Sequence, residues 1–160
     1  MLAIRPATIN DAPLLTTMIH EFAAYDRLDQ EAAVTKEDIA RDGFGAKPKF
    51  RAVIAEWSGQ VAGYALFFDF YSTFQGRGGL FLDDIFVRPQ FQKKGIGRAL
   101  LAHVAAIAWK EEYFCIRCEM LDWNTAAIDF YGKLGAVFLD EWKAALLIGD
   151  ALQAIAEEAG

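Results

Sequence analysis

Residues 80–108 read LFLDDIFVRPQFQKKGIGRALLAHVAAIA, and the rest of the chain can be placed around them. Leu80 to Val87 is apolar and rich in β-formers, interrupted only by Asp83-Asp84, so it predicts a strand. Arg88-Pro89 ends it, because proline lacks the N–H a ladder needs and biases the residue before it toward extended geometry. From Ile96, the residues Ile96, Leu100, Leu101, Val104 and Ile107 share one helical face. The connection is Gln92-Lys93-Lys94-Gly95-Ile96-Gly97. A glycine-rich loop entering a helix offers free backbone N–H groups and the positive end of the helix dipole to an anion. Side chains in place of the glycines would hold that anion away from the backbone.

Two common phosphate motifs do not fit. A Walker loop requires Lys and then Ser or Thr after its second glycine, but Gly97 is followed by Arg98-Ala99. A dinucleotide fingerprint begins directly after its strand, whereas Gly95 lies eight residues beyond Val87 and Leu100 stands where a third glycine belongs.

Composition narrows the class further. A chain of 160 residues with 54% hydrophobic content suits one globular domain, 1–160, with a substantial core. A net charge of −6 argues against a nucleic-acid partner and favours attraction of cations. No apolar run is long enough to span a membrane, and Met1 to Pro6 has none of the marks of a signal peptide, so the expected location is cytoplasmic. Cys115 and Cys118 are three apart, on opposite faces of a strand, which suits neither a disulfide nor a shared metal. His20 and His103 have no ligand spacing to them, so no metal is expected.

In chain order, Leu2 to Arg5 predicts a strand, followed by a helix capped at Thr8 or Asn10 whose apolar stripe is Leu14, Leu15, Met18, Ile19 and Phe22. Thr35 to Asp38 opens a second helix with a capping-box pattern. Phe50–Trp57 and Gln60–Tyr71 predict two strands joined at Ser58-Gly59, and Ser72–Gly79 a flexible loop. After the central helix come a strand over Phe114–Leu121 and a helix from Asn124 carrying Ala127, Ile128, Tyr131 and Leu134 on one face. Ala136–Leu139 and Lys143–Ile148 predict a closing pair of strands, and Asp150–Ala159 a short amphipathic helix. No internal repeat or linker is present.

The loop from Gln92 to Gly97 resembles the Gln/Arg-x-x-Gly-x-Gly/Ala pyrophosphate loop of the GNAT superfamily of acyl-CoA-dependent N-acyltransferases, and the element order is similar along nearly the whole chain. Ile4-Arg5-Pro6-Ala7-Thr8, Asp42 to Gly45, Leu82 to Val87 and Asp122-Trp123-Asn124 through Phe130-Tyr131 to Gly135-Ala136 together resemble the spermidine/spermine and thialysine acetyltransferase branch. Asp83 is one methylene shorter than the Glu usual there, Gln92 replaces a common Arg, and Lys93 replaces a common Gly. The resemblance implies an α/β (α+β) fold with a mixed, mostly antiparallel, splayed sheet flanked by helices. It also implies acetyl-CoA as co-substrate, a small cationic amine as acceptor, and a homodimer with residues near Trp142 and the tail at its interface.

Residue roles follow from the same resemblance. Ile85, Phe86 and Val87 would hold the pantetheine arm as an added pseudo-strand. Gln92, Lys93, Lys94, Gly95, Ile96, Gly97 and Arg98 would cradle the pyrophosphate, with Asn124, Ala127 and Tyr131 beside the pantetheine and sulfur. Tyr131 and Asp83 are the expected catalytic pair: Asp83 draws the proton from the amine, and Tyr131 protonates the leaving thiolate. Tyr25, Asp26, Phe74, Asp83, Asp84, Glu141 and Trp142 are the expected substrate contacts. Taken alone, Tyr131 reads as a core aromatic, Asp26 as a helix-end surface charge, and Phe74 and Trp142 as packing. A protein acetyltransferase and a catalytically inert acyl-CoA-binding module are the alternative functions.

Overall fold

The computed structural model describes residues 1–160. Five strands form one sheet in the order β1 (Leu2–Pro6), β2 (Arg51–Trp57), β3 (Gln60–Ser72), β4 (Arg77–Val87) and β5 (Ile116–Cys118). The first four pair antiparallel and β5 joins β4 in parallel. The helices are α1 (Ala12–Tyr25), α2 (Lys36–Phe44), α3 (Ile96–Lys110), α4 (Thr125–Lys133) and α5 (Gly149–Glu157). They fall into two compact units, Met1–Leu121 and Asp122–Gly160.

In the first unit each sheet face buries its own apolar cluster. Val53, Phe67, Leu80 and Leu82 pack with Ile96, Leu100 and Val104 of α3. Ile54, Tyr64, Leu66 and Phe86 pack with Leu15 and Met18 of α1 and Ile39 of α2. Leu100 and Val104 are wholly buried, each such side chain stabilising by roughly 2 kcal/mol. The entry to α1 is fixed by Asp11, whose carboxylate accepts from the Thr8 N–H at 2.8 Å and from both terminal nitrogens of Arg5 at 2.9 Å. Thr35 caps α2 in the expected reciprocal pattern with Asp38.

The expected loop over Ser72–Gly79 is shorter than its glycines suggest. β4 already starts at Arg77, and Gly78 and Gly79 lie within it. A Cβ on Gly78 would meet the Tyr113 ring at 2.8 Å, and one on Gly79 the Phe70 ring at 2.6 Å. These glycines admit aromatic rings against the strand and do not serve a turn. The strand expected over Phe114–Leu121 is paired only from Ile116 to Cys118.

In the second unit, Asn124 caps α4, its Oδ1 accepting from the Ala127 N–H at 3.1 Å. The closing strands expected at Ala136–Leu139 and Lys143–Ile148 do not form. Lys-Ala-Ala-Leu-Leu-Ile has neither the alternation nor the β-branched content that holds a strand without a paired neighbour, and Leu146, Leu147 and Ile148 are exposed. The expected tail helix is α5, whose residues are all exposed.

Candidate active site

The site begins with an irregularity in β4. Leu66 pairs with Asp84 but Phe67 pairs with Leu82, so Asp83 is an extra residue in the strand, a β-bulge. The bulge changes the phase of the strand. Leu80 and Leu82 face the α3 layer, whereas Phe86, four residues beyond Leu82, faces α1 and α2. Regular alternation would send Asp83 and Asp84 to opposite faces. With the bulge, both carboxylates instead line one cavity.

The same point marks where the sheet opens. Pairing of β4 with β5 ends at Leu82 opposite Cys118, and β4 continues to Val87 without a partner on that side. The Arg88 N–H donates to the Ala62 carbonyl at 2.9 Å, so by antiparallel alternation Phe86 and Asp84 turn their backbone groups toward β3. Those of Ile85 and Val87 point to the open side. The Val87 carbonyl accepts from Gln92 Nε2 at 3.2 Å. Phe86 lends no side chain to this edge, because its ring is buried against Phe22 at 5.5 Å between centroids.

Beyond β4, the loop turns into α3 through two left-handed residues, Lys93 at φ 60° and Gly95 at φ 78°. Gly95 is the N-cap and no side chain caps the helix, so the N–H groups of Ile96, Gly97 and Arg98 have no partner within it. Ile96 itself buries its side chain in the core, and only its backbone is available to a ligand. Lys94 Nζ lies 5.4 Å from the Trp57 ring centroid, a cation–π contact that holds its charge against the ring.

The cavity of about 400 Å³ lies on the α1 side. Asp26, Asp83 and Asp84 line it, with Phe22 and Met120 among its apolar walls. Asp84 Oδ2 accepts a 2.7 Å hydrogen bond from the Tyr64 hydroxyl. Burial pushes the Asp84 carboxyl up to about 6, against the opposing effect of the Tyr64 bond. Burial raises Asp83 as well, aided by Glu119, and burial raises Asp26. Tyr64 is pushed well above its ordinary value by burial and by Asp84. Asp26 Oδ1 is shut off from solvent without a hydrogen-bond partner. A carboxyl oxygen in that position has acceptor capacity left for a water or a ligand donor.

Tyr25 and Asp26 are adjacent at the end of α1 but separate. Tyr25 lines a second hollow of about 440 Å³ with Phe86, Arg88 and Glu21, the last two joined by paired hydrogen bonds of 2.8 and 2.9 Å. Phe74, expected at the amine, sits in the β3–β4 turn, 97% exposed, and lines neither hollow, because the turn projects beyond the paired part of the sheet. In the second unit, Tyr131 is buried on α4 with its ring edge-on to Phe130. Glu141 and Trp142 lie in irregular chain, with Trp142 exposed. Sequence reasoning missed Tyr64, and it missed Glu31 and Glu119 as members of the acidic cavity. A buried tyrosine requires a hydrogen-bond partner, which is a signal for Tyr64 once the strands are paired.

A splayed mixed sheet with an open strand edge, and beside it a glycine loop at a helix start, is the architecture of an acyl-CoA-dependent transferase. The chain belongs to the Acetyltransferase (GNAT) family, which it matches over residues 15–136. It is 34% identical to the thialysine N-epsilon-acetyltransferase of Sus scrofa, the alignment covering 96% of each chain. It is 31% identical to the L-ornithine N5-acetyltransferase of Arabidopsis thaliana, covering 95% of this chain and 86% of that one. Among solved structures, an integron cassette protein of V. cholerae superposes with a TM-score of 0.81 over 98% of both chains at 22% identity. That likeness speaks to the fold.

Proposed function

We propose that this protein transfers the acetyl group of acetyl-CoA directly to the primary amine of a small cationic substrate, a thialysine- or lysine-like amino acid or a polyamine. The observation that carries the reading is the bulge at Asp83, which places two carboxylates in one cavity where β4 is released from β5. The open backbone groups of Ile85 and Val87 suit the pantetheine arm, and the uncapped N–H groups at the start of α3 suit its pyrophosphate. Acetyl-CoA supplies an acyl group activated as a thioester. The family match crosses both compact units, which supports a single working domain over residues 1–160.

The chain's own residues then manage protons. An alkylammonium with a pKa near ~10.4 must be deprotonated before it attacks, at a cost of roughly 4–5 kcal/mol at neutral pH. Asp26, Asp83 and Asp84 attract the cation, but their charges also raise its pKa, so binding and deprotonation oppose each other. Asp83, the more exposed of the bulge pair, accepts the proton through water. The Ile85 N–H faces the open edge, where it can stabilise negative charge developing on the acyl oxygen. Once Asp83 has taken the first proton, the neutral amine forms the new N–C bond as the C–S bond breaks, Tyr131 gives its hydroxyl proton to the departing sulfur, and the second proton shed by the nitrogen on becoming an amide restores Tyr131 through solvent. Asn124 fixes the first turn of the helix that carries Tyr131.

The working assembly is a homodimer in the cytoplasm, without a nucleic-acid or membrane partner. Exposure of Trp142, Leu146, Leu147 and Ile148 supports the dimer, and the net charge of −6 supports the absence of nucleic acid. No helix is long and apolar enough to cross a membrane. Sedimentation at micromolar concentration tests the assembly, and a monomer refutes it. The activity is tested by incubating a panel of amines with acetyl-CoA and following free thiol; release that no amine accelerates overturns the reading.

A further inference from the structure

Past Leu82, β4 has no partner on its β5 side, so its last residues are held from one side only. Arg88, directly after Val87, supplies much of that hold. Its backbone N–H donates to the Ala62 carbonyl at 2.9 Å and its Nη1 to the Val61 carbonyl at 3.2 Å. Its Nε and Nη2 donate to the two carboxylate oxygens of Glu21 at 2.8 and 2.9 Å. The Arg88 side chain is 20% exposed and that of Glu21 36%, so the pair is partly sheltered from the screening that weakens surface ion pairs. Every guanidinium nitrogen is engaged, an arrangement that an ammonium cannot reproduce. Glu21 lies on α1, one helical turn before Tyr25 and five residues before Asp26. One end of the pair therefore adjoins the open edge of β4, and the other sits on the helix that brings Asp26 to the acceptor cavity. Phe22 of α1 also stacks on Phe86 of β4. Apolar contact is non-directional, whereas a two-point fork fixes both distance and angle.

Glu21 and Arg88 line the hollow beside Tyr25 and not the acidic cavity. We propose that they are a positioning pair for the transfer, touching neither reactant and setting α1 against the open edge of β4. An amine held among the carboxylates is thereby brought into line with a thioester lying along Ile85 and Val87. The proposal rests on the acetyltransferase reading and adds no chemical step to it. Each reactant has its own binding determinants, the carboxylates for the amine, and the β4 edge with the start of α3 for the cofactor. The pair governs the alignment between them, and alignment is read in kcat.

Glu21→Gln keeps the shape and one accepting oxygen, and Arg88→Lys keeps the charge but loses the fork. Each is expected to lower kcat at saturating amine and acetyl-CoA by about 10- to 100-fold, the cost of a misplacement of about 1 Å. CoA affinity by calorimetry and the amine KM are expected to stay near wild type. The double variant is expected to lose no more than the worse single variant, because the two residues act as one unit. Hydrogen exchange gives a readout that needs no turnover. The amides of Phe86 and Arg88, which donate toward β3, are expected to exchange faster in each variant, while that of Leu80, bonded to the Cys115 carbonyl at the other end of β4, is unchanged. A kcat near wild type overturns the proposal, and so does a loss of CoA affinity that matches the loss of kcat. Losses that multiply in the double variant overturn the pairing. Faster exchange along all of β4 with a lowered Tm makes the pair a contact of the fold alone and overturns the proposal as well. If no amine accelerates thiol release by the wild type, the acetyltransferase reading fails and the role in transfer with it. Exchange then still decides the brace on β4: quickening confined to Phe86 and Arg88 supports it, and none refutes it.

Discussion

The Tyr64 hydroxyl and the Asp84 carboxylate meet at 2.7 Å as diagonal neighbours across the β3–β4 ladder, because Tyr64 pairs with Phe86 and Asp84 with Leu66. The bond favours the ionised acid while burial opposes it, and burial wins, placing Asp84 at about 6. A carboxyl whose folded pKa exceeds its unfolded value stabilises the fold when protonated. That contribution is complete below the unfolded value near ~4 and lost as pH rises through about 6. Above that window, keeping Asp84 ionised in its site costs on the order of 3 kcal/mol.

Asp84→Asn keeps the shape and an oxygen to accept from Tyr64 but removes the charge. At pH 8 its Tm is therefore expected to exceed that of the wild type by about 6–12 °C, and at pH 4 the two should converge. Calorimetric melts at both pH values check this. A lower Tm for the variant at pH 8 contradicts the assignment of a buried, strained charge. Loss of amine affinity in the same variant would mark a site that holds its charge for function at the expense of stability.

Tyr64→Phe probes the other half of the pair. The ring contact with Phe86, 6.3 Å between centroids, survives the change, but the bond that lowers the Asp84 pKa does not. Asp84 then ionises at higher pH. The acid limb of the kcat/KM profile is expected to move to higher pH by about half a unit to one unit, since one hydrogen bond contributes roughly 1 kcal/mol. An unmoved limb means that Asp84 does not govern the profile.

The β4–loop–α3 stretch was legible because each of its signals is local: proline ends the strand, glycine opens the helix, and the apolar stripe faces the core. Asp26, Asp83 and Asp84 were legible as candidates through the family resemblance and not through a local signal, since Asp26 taken alone reads as a helix-end surface charge. That both bulge carboxylates enter one cavity was not, because a bulge is a property of strand register and not of the residues at the bulge. Glu119 comes to the cavity, and Tyr64 to Asp84, through long-range pairing of β5 and β3 with β4, which no short motif encodes. Gly78 and Gly79 carried a turn signal whose true cause is a pair of aromatic rings distant in sequence. The closing segment Lys143–Ile148 is apolar enough to suggest a strand, but a strand needs an edge to pair with, and its own composition supplies no other support.

The two loop glycines separate backbone strain from ligand approach. Gly95 has φ 78°, so Gly95→Val is expected to lose about 1–2 kcal/mol of stability as well as CoA affinity. Gly97 has ordinary helical geometry, and a Cβ there would meet Val87 Cγ2 at a comfortable 3.7 Å. Gly97→Ala should therefore fold as well as wild type, so that any fall in CoA affinity reports close approach of the phosphates to the backbone. Titration calorimetry with CoA alongside thermal melts distinguishes the two. Unchanged CoA affinity in both variants removes this loop from the binding site.

The roles given to Tyr131 and Asp83 differ in which reactant they serve, and that difference can be measured. Tyr131→Phe removes one hydroxyl and almost no volume from a buried side chain, and its ring can keep its edge-on contact with Phe130. CoA affinity is then expected to stay near wild type while turnover falls on the order of 10²–10⁴-fold, the usual range for a positioned acid. Asp83→Asn keeps the shape and removes the charge at an exposed position of the bulge, so it too should leave folding and CoA binding intact. Its effect belongs to the amine: a higher KM, a lower kcat, or both. The pH dependence separates the parts further. If Asp83 accepts the amine proton, the variant's kcat should depend more steeply on the concentration of already neutral amine, and raising the pH should recover part of the loss. Steady-state kinetics from pH 6 to 9 on both variants, with CoA affinity measured in parallel, checks this pattern. Near wild-type turnover in Tyr131→Phe would return that residue to the role of a core aromatic, and an Asp83→Asn defect equal at every pH would assign Asp83 to binding alone.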